Sequence, residues 1–206
     1  DFYYSYDKIK NSELAPLFDT LKSKIDRFYE IDYLEKLLAL WSSKVYEREK
    51  LPQQKDFYKN NIVKADVRTV VIISDALRYE VGYEISQKLR KEANVKEIKI
   101  EAMLTDLPSR TFLGMANLLP CKKERDIDLV SAKVLIDGID SQGTENREKI
   151  LKASCEESSA ISFDNFYKMN RAKQEEFIKG KKVIYIYHDS IDAIGDKAKT
   201  ENNTFN

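Results

Sequence analysis

Histidine is nearly absent: His188 is the single one in 206 residues. That scarcity excludes an all-histidine zinc site, and it excludes a serine–histidine–aspartate triad anywhere away from position 188. Cysteine is sparse too. Cys121 and Cys155 stand far apart with no paired motif, and read as two reduced thiols of a cytosolic protein. No apolar run approaches the ~20 residues of a membrane span. The start, Asp1-Phe2-Tyr3-Tyr4, lacks the basic and apolar regions of a secretory signal, so a cytoplasmic location without membrane contact is expected. An excess of one charge is missing as well, with Lys plus Arg and Asp plus Glu at 35 each. Nothing global therefore points to nucleic acid, although net charge is silent about local patches. Internal repeats and low-complexity tracts are also absent.

What is present centres on Val70-Val71-Ile72-Ile73-Ser74-Asp75-Ala76-Leu77-Arg78. A β-branched run stops at Ser-Asp and a helical pattern follows at once. A buried parallel strand reads this way when it delivers a carboxylate to the carboxyl edge of an α/β sheet. Ligands in open α/β sheets bind beyond that edge. Asp75 thus stands where chemistry is expected.

The length suits one domain with an appendage. Residues 1–63 read as a helical lead-in. Asn11 or Ser12 caps a helix with Leu14, Leu17, Phe18, Leu21 and Ile25 on one face, and a second pattern runs from Tyr29 through Trp41 to Val45. Their aromatic-rich faces read as packing faces. Leu51-Pro52 ends the second helix, and Gln53 through Ile62 forms a short third one.

Residues 64–206 change texture to alternating strands and helices. Thr69–Ser74 is a strand and Ala76 to about Glu92 a helix, after which Val95–Met103 alternates in polarity. A short helix is expected over Thr111–Leu119, a strand over Lys133–Ile136 and a turn at Asp137-Gly138. Thr144–Ala153 reads as a helix capped by Thr144, Ser159–Ser162 as a short strand, and Asp164–Lys179 as one helix ending at Gly180. Val183–Tyr187 is a second buried-type strand running into His188-Asp189. The expected class is α/β, a mostly parallel sheet flanked by helices and preceded by a small helical segment.

Two strands thus end in acidic residues. If both lie in one parallel sheet, Asp75, Asp189, Asp192, Asp196 and His188 share an edge. Such an oxygen-rich donor set suits hard or borderline divalent ions. Spacing alone favours the plainer reading, in which Asp189–Asp196 is a solvated turn. A second element is Leu107-Pro108-Ser109-Arg110-Thr111-Phe112-Leu113-Gly114-Met115. A hydroxyl at a helix start is most often an N-cap; the alternative is a nucleophile beside a helix amino end that favours phosphate. Arg78 and Arg110 can clamp phosphoryl oxygens or form surface salt bridges, the latter being the commoner role.

Three long motifs together resemble the PglZ domain, a branch of the alkaline phosphatase superfamily found in bacteriophage-exclusion defence systems. They are residues 71–82, 107–120 and 185–196, with weaker support from Asp137-Gly138, Arg147, Gln54–Tyr58 and the Tyr33–Trp41 helix. The resemblance implies an alkaline-phosphatase-like fold, with 64–206 as the amino-terminal part of that domain. It implies Asp75 as a metal ligand, Thr111 as nucleophile and second ligand, and Asp192 to Asp196 as a metal motif with His188 nearby. An aspartate at 196 stands where the nucleotide-pyrophosphatase branch has histidine. The implied cofactor is a divalent metal, zinc first, with manganese or magnesium as alternatives. The implied substrate is a phosphate ester or nucleotide, and the implied partners are other phage-defence proteins.

Such domains continue into an Asp-His-Gly motif that has no counterpart before Asn206. The expectation is a truncated segment with an incomplete site, inactive alone, whose parent is a metal-dependent phosphatase or phosphodiesterase. The competing readings are a scaffold module of a multi-protein defence complex and nucleotide binding without turnover. An incomplete sheet also exposes an unpaired edge, which favours self-association.

Overall fold

The computed structural model describes Tyr6, Ile9, residues 11–44, Glu47, residues 50–65 and residues 67–195. The chain divides into two compact units, Asp1–Lys50 and Leu51–Asn206. The described residues of the first are mostly helical, as its spacing predicts. Helix α1 (Ala15–Arg27) has Pro16 in its first turn, where a missing N–H costs nothing. It passes into π-helical turns over Phe28–Glu35 and then α2 (Lys36–Lys44). Leu14 sits at the N-cap of α1, so neither Asn11 nor Ser12 is the cap residue. None of these segments has a buried residue, so the expected packing faces remain open.

The second unit is an α/β domain. Its main sheet holds β1 (Thr69–Ser74), β5 (Ser158–Ser162) and β6 (Val183–His188), in the order β1-β6-β5 and all parallel. β6 is central and buried on both faces, which is why Val-Ile-Tyr-Ile-Tyr carries no polar alternation. Its odd residues Val183, Tyr185 and Tyr187 join Leu113, Leu119, Val134 and Leu151 in the larger core cluster. Ile184 and Ile186 face the other way, with Ile161, Phe166 and Phe177. Each fully buried aliphatic side chain here contributes about 1.5–3 kcal/mol.

Helices cover both faces. α3 (Tyr79–Leu89) follows β1, α4 (Thr111–Asn117) and α5 (Thr144–Ser154) build the larger core, and α6 (Phe163–Tyr167) with α7 (Arg171–Ile178) cover Ile184 and Ile186. A short α8 (Ser190–Gly195) follows β6. Among the described residues no helix is long and apolar enough to cross a membrane.

A small antiparallel sheet, β2 (Arg125–Asp128), β3 (Lys133–Ile136) and β4 (Ile139–Asp140), packs beside α4. Asp137 (φ 50°) and Gly138 (φ 84°) make the two-residue turn between β3 and β4. Both residues need positive φ there, which is why an Asp-Gly pair marks the turn in the sequence.

Five local expectations are corrected. α3 begins at Tyr79 rather than Ala76, because the Asp75 carboxylate accepts the Ala76 N–H (3.0 Å) and holds Ala76 at φ 57°. Val95–Met103 alternates but finds no ladder; the adjacent Leu104 makes one isolated bridge to Gln53. The helix expected over Asp164–Lys179 breaks in two, since Asn170 accepts the Lys173 N–H (3.0 Å) and starts a new helix. Gly143, not Thr144, is the N-cap of α5. The expected third helix is a 3-10 turn, Gln54–Asp56, followed by π-helical turns over Tyr58–Val63 that bury Tyr58 and Ile62.

Candidate functional site

The parallel register settles which residues meet at the carboxyl edge. Ser74 pairs with His188, and the Asp75 N–H donates to the His188 carbonyl (2.9 Å), so the ladder extends one residue beyond the end of β1. Asp75 and His188 therefore leave the sheet side by side. Ser74 Oγ and His188 Nδ1 share a hydrogen bond of 2.9 Å whose direction follows the tautomer. Phe163, at the start of α6, packs edge-on against the imidazole at 5.0 Å. With Nδ1 engaged and the ring braced, Nε2 is the imidazole nitrogen without a hydrogen bond among the described residues. Neither Ser74 nor Phe163 is marked by residue type. Ser74 could have been found from the register of two parallel strands ending together, and Phe163 had no such signal.

The remaining candidates sit just past a strand end or at helix starts. Asp75 is half-buried, and its carboxylate is engaged by its own turn. Arg78 is the exposed N-cap of α3, in extended conformation. Arg110 is the N-cap of α4; it extends Nη1 toward the Leu129 carbonyl at 3.5 Å, after a cis Leu107–Pro108 peptide. Thr111 is the first helical residue of α4 and is exposed. It is not an N-cap, and its hydroxyl makes no hydrogen bond among the described residues. The helix is anchored by Leu113 and Ala116, with Phe112 and Met115 against the cluster that holds Ile73 and Tyr187. Asn117 is buried on the same helix and donates to Asp106 (2.9 Å). Asp192 lies half-buried in the first turn of α8, where the Ala193 N–H donates to the Asp189 carbonyl (2.9 Å). Asp196 lies outside the described residues.

The donor types at this edge, carboxylate and imidazole, suit a divalent ion. Among the described residues, however, no three His, Cys, Asp or Glu side chains come close enough together to hold one. The fit is that of part of a shell. Arg147 belongs to the larger core instead: its Nε donates to the Ser141 carbonyl (2.9 Å) and its guanidinium lies 4.5 Å over the Tyr187 ring.

A parallel sheet with helices on both faces, and carboxylate and imidazole leaving adjacent strand ends, defines an α/β protein of the kind that binds ligands at the carboxyl edge. The profile of the BREX system PglZ alkaline phosphatase-like domain matches residues 57–206. The chain belongs to that family, whose setting is BREX phage defence. It is 38% identical over 214 residues to the alkaline phosphatase-like protein PglZ of Bacillus cereus (strain H3081.97), covering 99% of this chain and 24% of that protein. It is 34% identical over 222 residues to the alkaline phosphatase-like protein BrxZ of Escherichia coli O9:H4 (strain HS), covering 98% of this chain and 25% of that protein. The chain thus spans about a quarter of the length of these relatives. No solved structure matches it at a significant level.

Proposed function

We propose that the chain supplies the nucleophile and part of the metal shell of a metal-dependent phosphatase or phosphodiesterase acting in phage defence. The observation that supports this most is the pairing of Ser74 with His188, which brings Asp75 and His188 to one sheet edge. In this reading Thr111 Oγ attacks phosphorus, the ester oxygen leaves with a proton, and water then cleaves the phospho-threonine. Arg78 and Arg110 hold phosphoryl oxygens, which guanidinium groups match geometrically. Asp75, His188, Asp192, Asp196 and the Thr111 oxygen would be the residues to hold the metal, zinc in preference to manganese or magnesium. Asp75 and His188 alone are too few ligands for a divalent ion, so further donors would be needed to hold it. The substrate class is a phosphate ester or nucleotide. The partners are other proteins of the defence system, consistent with the family's membership of BREX.

A second reading, a scaffold or nucleotide-holding module without turnover, is favoured by the lack of a three-donor cluster among the described residues. One experiment separates the two. Zinc and manganese binding, and hydrolysis of a nitrophenyl phosphodiester, are measured for this chain and for a full-length relative, each with the variants equivalent to Asp75→Ala and Thr111→Ala. The hydrolase reading expects Asp75→Ala to weaken metal binding in both. It also expects Thr111→Ala to lower turnover of the full-length protein by roughly 10³-fold or more, as for loss of a nucleophile. Metal bound without any turnover in the full-length protein would favour the scaffold.

A further inference from the structure

The sheet has a second functional-looking end. Beneath the Tyr58–Val63 turns run two adjoining grooves, of about 290 Å³ and about 330 Å³, both lined by Tyr58, Val63 and Ser154. Thr69 and Val183, the first residues of β1 and β6, line the second groove. The grooves therefore lie at the amino edge of the sheet, roughly 17 Å of strand rise from Ser74 and His188.

Their charge is one-sided in a chain whose total is balanced. Lys55, Lys59, Lys122 and Arg125 line the first groove, Arg68 and Lys182 the second, and Asp56 is the single carboxylate lining either. Some of this charge is engaged. Lys182 pairs with Glu157 (2.6 Å), Arg68 Nε donates to the Lys181 carbonyl (2.9 Å), and Lys122 Nζ donates to the Ala153 carbonyl. Lys55 and Lys59 make no ion pair with any described residue. Arg125 reaches the Leu119 carbonyl (3.2 Å) and the Lys55 carbonyl (3.5 Å) through Nη2, and its Nε is buried without a partner among the described residues.

Guanidinium and ammonium groups around a groove of this size match the oxyanions of a nucleotide-sized ligand. A duplex would span far more than these grooves and would be met by an extended basic face rather than a cleft. We propose that this groove is a second ligand site, separate from the carboxyl edge, that binds the phosphate groups of a nucleoside polyphosphate.

The test is calorimetric titration of the chain with pyrophosphate and with ATP, in EDTA so that no divalent ion contributes. Both should bind. Lys55→Glu combined with Lys59→Glu, two exposed positions that leave the core untouched, should weaken them by roughly tenfold or more. Arg125→Gln should do the same, with urea melts confirming that it folds. Arg78→Ala and Arg110→Ala should leave the affinity within about twofold. The proposal is overturned if neither ligand binds, or if the groove variants bind as the parent chain does. It is equally overturned if binding is lost only in the Arg78 and Arg110 variants, or if only an oligonucleotide binds. Because metal and turnover play no part in this readout, it stands or falls independently of the hydrolase reading.

Discussion

At the scale of single residues, two tyrosines on one strand make opposite predictions. Tyr185 and Tyr187 lie two residues apart on the same face of β6, ring centres 6.2 Å apart, and burial pushes both hydroxyl pKa values up. Tyr185 donates to the Leu118 carbonyl (2.7 Å), tying the central strand to the end of α4. The buried Tyr187 hydroxyl makes no hydrogen bond of full geometry among the described residues, the neighbouring Arg147 guanidinium acting on it chiefly through its charge. Tyr185→Phe should therefore cost about 1–2 kcal/mol in urea unfolding, because it strands a carbonyl, whereas Tyr187→Phe should be neutral or stabilising. Equal losses for both would contradict the assignment. Asp137 offers a pH-dependent counterpart. Its carboxylate accepts the N–H groups of Lys122 (3.0 Å), Lys123 (2.9 Å) and Glu124 (3.2 Å), which hold its carboxyl below the ordinary aspartate value. A depressed folded pKa adds stability that is present above about pH 3.9 and is lost as pH falls through the folded value. Asp137→Asn, which keeps a residue tolerant of the positive φ at this turn, should cost about 1 kcal/mol near neutrality, the small figure reflecting an exposed site. The gap between variant and parent should close on acidification below about pH 4.

At the scale of elements, Asn170 tests why one expected helix is two. Its side chain caps α7, so Asn170→Ala should destabilise the domain by about 1 kcal/mol, measured by chemical unfolding. The break was hard to read because Lys168-Met169-Asn170 holds neither Gly nor Pro, and a cap residue inside a helical pattern resembles any polar surface residue. By contrast β1, β3 and β6 are legible in their β-branched runs, and the β3–β4 turn in its Asp-Gly pair. β2, Arg-Asp-Ile-Asp, carries too little apolar content to signal a strand; it exists because β3 offers it an edge. Val95–Met103 shows the converse, a strand-like pattern with no edge to join. At the site, Asp75 and His188 were legible because buried strands ending in polar residues imply a shared edge. The N-cap geometry before Thr111 was not, since side-chain type alone does not separate a cap from the residue after it.

At the scale of the whole molecule, the sheet is open on one side. β1 has no partner on its outer edge among the described residues, and Val70 and Ile72 are 49% and 66% exposed on it. They share a sheet face with Ile184 and Ile186, yet the apolar side chains of α6 and α7 that cover the latter pair leave them bare. An exposed apolar edge strand is a template for pairing with another chain. This chain should therefore associate at high concentration, and Ile72→Lys should shift it toward monomer in sedimentation velocity. An unchanged oligomer distribution would place the contact elsewhere.

The central strand is also the last of the six to be synthesised. β1 must wait for its neighbour β6 across a separation of 114 residues, the distance from Ser74 to His188. At ribosomal speeds that interval lasts roughly 6–20 s, long compared with local helix formation. Throughout it Val71 and Ile73, later shielded in the core, travel on the nascent chain as part of an unpaired apolar strand. Stalling translation just short of residue 183 should leave them available to a chaperone that grips extended hydrophobic segments, and release past His188 should hide them.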